Sequence, residues 1–225
     1  MRSLLVVVWL VPVIAHAKPR TITVQAGNGD LVLTFDAKKV SEAELRDAAT
    51  LAPEAGPDAI VTQSLETCRD DAGASQPCAG ARPPTQPRFF KDAEHTRTAN
   101  VAIVKTATER KVAKELEPAK EWLRKSVAFY AALEERKLAF YRSWKSSDLT
   151  PPIEGVDGTK ECAAIVAKVD AATTKDDKYK LVKHDWHNCM NDRRHAAAGP
   201  YPKAPWKAFL KANGVKAKFV LPDGD

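Results

Sequence analysis

Four cysteines, Cys68, Cys78, Cys162 and Cys189, constrain this 225-residue chain more than any other feature it carries. An even cysteine count becomes a covalent framework only where thiols are oxidised, so the compartment in which the chain works decides what the cysteines do. Residues 1–17, MRSLLVVVWLVPVIAHA, bear on that. Arg2 supplies a positive start and Leu4 to Ile14 form an apolar run. Ala15-His16-Ala17 then presents small residues at the two positions a signal-peptidase pocket admits. The run falls short of the roughly 20 apolar residues that cross a hydrocarbon core, and Pro12 interrupts it. The expectation is a signal peptide cleaved after Ala17 and export to the periplasm or the extracellular space. The mature chain would begin at Lys18 and contain no membrane span.

In an oxidising compartment the four thiols admit three pairings. Cys68 and Cys78 enclose RDDAGASQP, a stretch of turn formers that closes at low entropic cost. The other two have a geometric reason to meet. Residues 159–172 read as a helix with Cys162, Ile165, Val166 and Val169 on one stripe. Residues 176–197 read as a second helix, with the turn near Thr173–Lys175. Cys162 lies about as far before that turn as Cys189 lies after it, which sets the two side by side in an antiparallel hairpin. The expected framework is Cys68–Cys78 with Cys162–Cys189, crossed pairings being the alternatives. No CxxC or CxxCH spacing points to a metal or haem, and a bridged cysteine is not a nucleophile.

The remaining pattern is mainly α-helical, a bundle or set of hairpins, with a small N-terminal β-hairpin. Residues 18–66 hold the hairpin, TITVQ and LVLTF around Gly27-Asn28-Gly29-Asp30, and a helix from Ser41 opened by the capping box Ser41-Glu42-Ala43-Glu44. Ala59 to Leu65 reads as a third strand or a short helix. Residues 67–91 form the early disulfide loop and the proline-rich run Arg82 to Pro87. Residues 92–147 read as helix with Val101, Val104, Thr108, Val112 and Leu116 on one face, broken near Glu117 because Pro118 suits the first position of a new helix. Residues 148–225 contain the stapled hairpin, a short helix WKAFLKAN ended by Gly214, and a final strand KFVL that could pair with the N-terminal hairpin. The segment 18–225 is expected to pack as one structural domain.

Two groups of side chains could carry function. Trp122, Phe129, Leu133, Phe140 and Trp144 fall within roughly 60° of arc on one helix. Such a stripe makes either a core face or an aromatic groove for a glycan or peptide. His184, His187, Asn191 and His195 follow i, i+3, i+7, i+11 spacing. Imidazoles at i, i+3 can hold one zinc or copper ion if a third ligand arrives, His95 or a carboxylate from another helix. The bland reading is an amphipathic helix with histidines on its polar face and Trp186 or Cys189 turned inward. Asp176 stands where it could cap that helix.

The 35 basic and 29 acidic residues give a net charge of +6 spread among mixed signs, without the concentrated patch of a nucleic-acid binder. No GxSxG, SxxK, GxGxxG or Walker stretch occurs. These features favour a noncatalytic envelope or secreted protein, without a cofactor, that binds a protein or an anionic polymer. The alternative is a metal-binding protein or metal-dependent enzyme centred on His184 and His187.

Overall fold

Alternating apolar residues build the first element. The computed structural model describes residues 18–27, 29–57, 67–69, 75–77, 88–109, 111–156 and 160–221. Strand β1, Arg20–Ala26, pairs antiparallel with β2, Gly29–Phe35, in the register Ala26↔Gly29 that leaves a two-residue turn. Gly27 turns the chain at φ +59°, and a Cβ there would lie 2.8 Å from the Glu54 carbonyl oxygen, so only glycine fits. Leu31, Leu33 and Phe35 point into the core, as do Ile22 and Ala26. The last strand, β5, Lys216–Val220, joins β2 antiparallel with Leu31↔Phe219, completing the sheet order β1-β2-β5. The expected pairing of the C-terminal strand with the hairpin is therefore present, and it gives the hairpin the third strand it needs.

Helix α1, Glu42–Ala49, begins at the expected capping box. Ser41 Oγ accepts from the Glu44 N–H at 3.2 Å, and the Ser41 N–H donates to Glu44 Oε2 at 2.9 Å. Leu45, Ala48 and Ala49 are buried. Strands β3, Thr67–Arg69, and β4, Ser75–Pro77, form a short antiparallel pair inside the stretch expected to be irregular. Residues 1–17, 59–65 and 82–87, together with Cys78, lie outside the described residues.

The helical layer is organised around α3, Glu117–Ser143. Helix α2, Arg88–Glu109, packs antiparallel to it: Phe89 meets Tyr141 and Trp144 at one end, and Arg97 reaches Glu135 further along. The sequence pattern extends this first helix to Leu116, but it ends at Glu109. Leu116 instead closes a 3₁₀ turn, Lys114–Leu116, and is fully buried. Its apolar spacing comes from packing, not from helix. The break before Pro118 is as expected, with the proline in the first turn of α3.

Helix α4, Ala163–Ala171, and the run of α5, Lys175–Lys180, a π-helical segment, Leu181–Trp186, and α6, His187–Ala198, form the expected hairpin. Cys162 and Cys189 are disulfide-bonded across it with Cα atoms 6.0 Å apart. The cap of α5 is Thr174, whose Oγ1 accepts from the Asp177 N–H at 3.1 Å, and not Asp176. Helix α7, Ala204–Asn213, buries Trp206 and Phe209 and ends at Gly214 in the left-handed region. The chain is mainly α with a small sheet that joins its two ends.

Candidate functional site

Helix α3 buries a line of polar residues beside its aromatic stripe: Ser126, Tyr130, Glu134 and Lys137, at most 7% exposed. Facing them on α6 stand His187, Asn191 and Arg194. Arg194 donates to Ser126 Oγ, the Tyr130 hydroxyl donates to Asn191 Oδ1, and Glu134 Oε1 lies 3.7 Å from His187 Nδ1. The residue numbers rise on α3 as they fall on α6, four or three at a time, so the pairs are rungs between two antiparallel helices. A shift of one residue along α6 would break every rung.

Each group in this seam has a defined partner. Glu134 also receives Lys137 Nζ at 2.8 Å, a buried ion pair. Ser126 Oγ donates onward to the Trp122 carbonyl at 2.7 Å. The Arg194 guanidinium lies 4.6 Å from the centre of the Trp122 ring and 5.6 Å from that of Tyr130, and its own side chain is 2% exposed. His187 is the exception. Its Nδ1 is buried without a hydrogen bond among the described residues. Burial, and then the charge of Lys137, hold the imidazole down to about 4. The Glu134 carboxylate stands too far off to accept from the ring and is already neutralised by Lys137, so the desolvation wins.

The π-helical segment explains where the histidines go. An i→i+5 ladder rotates successive residues less per step than an α-helix does. His184, inside the segment, is exposed, whereas His187, immediately after it, turns towards α3, and His195 returns to solvent. The two imidazoles of the i, i+3 pair thus differ in exposure, His184 open to solvent and His187 half-buried. Among the described residues no three His, Cys, Asp or Glu side chains converge as a metal site requires. The side chain of His95 lies outside the described set. An open depression of about 370 Å³ beside His184 is lined by Asp177, Lys180, Leu181 and Asp185.

The aromatic stripe packs inward. Phe129 and Phe140 are 4% and 0% exposed. Trp122 and Trp144 are half-buried, and the chain itself covers them: Tyr201 stands edge-on to Trp122 at 5.2 Å, and Phe89 edge-on to Trp144 at 5.1 Å. Trp122 also donates Nε1–H to the Gly199 carbonyl at 3.3 Å. Behind the disulfide a small apolar cavity of about 90 Å³ is bounded by Leu149, Cys162, Val166, Trp186 and Met190.

Sequence reasoning missed Ser126, Glu134, Lys137 and Arg194. One signal was available: on α3 Ser126, Tyr130 and Lys137 fall about 40–80° from Trp122, too close to an apolar stripe for a solvated face. The hydroxyls of Ser126 and Tyr130 both have partners within the seam. Comparison with protein-family models, curated proteins and solved structures finds no match.

Proposed function

We propose that the chain is an exported, noncatalytic binding protein of the cell envelope or secreted fraction, whose polar interior serves its architecture and whose surface does its work. The observation that carries this reading is the seam itself. Among the described residues, a set of buried polar side chains is turned against its own neighbours, with Ser126, Tyr130, Glu134 and Lys137 occupied by Arg194, Asn191 and one another. An enzyme keeps such groups facing a cleft. The disulfide supports an oxidising destination.

The test is made on protein produced with its leader in an exporting host. Intact mass is expected to place the N-terminus at Lys18, and the purified protein is expected to be folded with less than stoichiometric metal. Stoichiometric zinc or copper that disappears in His187→Ala would overturn the binding role in favour of a metal centre at His184 and His187. Retention of residues 1–17 would overturn export through a cleaved leader.

A further inference from the structure

Between Asp192 and Asp223 the sequence contains no acidic residue. Within that interval Lys203 at the N-cap of α7, Lys207 and Lys211 on α7, and Lys216 and Lys218 on β5, are all exposed. None of the five takes part in an ion pair among the described residues. On other helices several cations are paired with acids: Arg46 with Glu42, Arg124 and Lys125 with Glu121, Lys180 with Asp176, Arg193 with Glu161. Five uncompensated ammonium groups on consecutive elements account for most of the net charge of +6.

They stand on two elements that follow one another along the chain. On α7 the spacing of four places successive lysines about 6 Å apart along one side of the helix. On β5 the two lysines share the outer face of the sheet, opposite Thr34 and Val32. Where α7 meets β5, Lys39 Nζ comes within 3.4 Å of the point a Cβ on Gly214 would occupy, which adds a sixth cation at the junction. Asp30, opposite Val220, is the single acidic residue that the strands place on that outer face. The segment ends at Val220 and Leu221, 39% and 57% exposed, two of the three large apolar side chains left in solvent among the described residues.

Lysines leading to exposed aliphatic side chains fit a particular partner. A soluble polyanion would match the charges and leave Val220 and Leu221 idle. A bilayer with anionic headgroups engages both, drawing the lysines to its surface potential and taking the aliphatic tip into the interface. The apolar side of α7 is buried in the core through Trp206 and Phe209, so the helix lies on the surface without inserting. We propose that the lysine-bearing segment from Lys203 to Leu221 docks the protein on a membrane surface that carries anionic lipid. This rests on the binding role above and names its partner, yet vesicle binding is read independently of metal content and leader cleavage, so the two can fail separately.

The experiment is cosedimentation of the purified, disulfide-bonded protein with vesicles of phosphatidylcholine alone or mixed with phosphatidylglycerol. Binding is expected only to the mixed vesicles and should weaken as salt rises. At about fivefold per lysine, the combined Lys207→Gln, Lys211→Gln, Lys216→Gln, Lys218→Gln variant should bind about a hundredfold or more weakly. Leu221→Ser should lose severalfold. A control with the same charge change elsewhere, Lys105→Gln, Lys145→Gln, Lys160→Gln, Lys168→Gln, should stay within a few fold of the parent. Absence of binding to the mixed vesicles, or an equal loss in the control, would overturn the proposal. So would binding to soluble heparin as tight as to vesicles with no effect of Leu221→Ser, which would identify a polyanion surface instead.

Discussion

At His187 the folded protein refuses a proton that the unfolded chain accepts. The imidazole titrates at about 4 in the fold and near 6.5 when solvated. Between those values the unfolded state binds more protons, so stability falls as pH drops from 7 towards 4 and levels off below that. The loss attributable to this residue is at most about 3 kcal/mol. Urea midpoints measured at pH 7 and pH 4.5 are expected to diverge less in His187→Gln than in the parent; equal divergence would show that His187 does not set the dependence. Lys137 is the second handle on the same group. Lys137→Met leaves Glu134 as an uncompensated buried carboxylate, which costs roughly 3–5 kcal/mol. It also removes the cation that opposes protonation of His187, so the His187 titration followed by NMR should move up from about 4.

At the scale of elements, Trp144 shows how packing overrides backbone preference. It caps α3 with φ +59°, the one described non-glycine residue in the left-handed region, and its N–H reaches the Phe140 carbonyl at 2.6 Å. Phe89, Phe140 and Lys175 hold its ring in place. Trp144→Ala should therefore cost about 3 kcal/mol or more, whereas Trp144→Gly loses the same ring but relieves the backbone and should be about 1 kcal/mol more stable than the alanine variant. Chemical denaturation of the two variants checks the order, and the reverse order would deny strain at this cap. The caps and stops were legible beforehand because they are local: Ser41 with Glu44, Pro118, Gly214. The bridge between Cys162 and Cys189 was legible because hairpin geometry needs only a turn position. The π-helical segment was not, since no residue in LVKHDW prefers an i→i+5 ladder on its own, and its fit depends on Trp186 entering the core while α6 keeps its rungs on α3. The seam was hidden for a related reason. Glu134 and Lys137 read as solvated charges until α6 brings its own polar residues to them.

For the whole molecule, α6 is held from two sides, covalently to α4 through Cys189 and by polar rungs to α3. Closing the 27-residue separation between Cys162 and Cys189 is worth about 3–4 kcal/mol in chain entropy. The paired Cys162→Ala, Cys189→Ala variant should fall by about that amount in urea titrations; a loss below 1 kcal/mol would mean that the rungs and core already fix α6. The sheet has a different consequence, one of order in time. Leu31 on β2 is completed by Phe219 on β5, almost the full length of the described chain away. A two-stranded hairpin alone is marginal in water, so β1 and β2 wait for β5, which is synthesised long after them. Until β5 arrives, β1 and β2 have only each other and β2 keeps an open edge. The sheet is thus closed by β5, and synthesis must pass Val220 before the third strand can join.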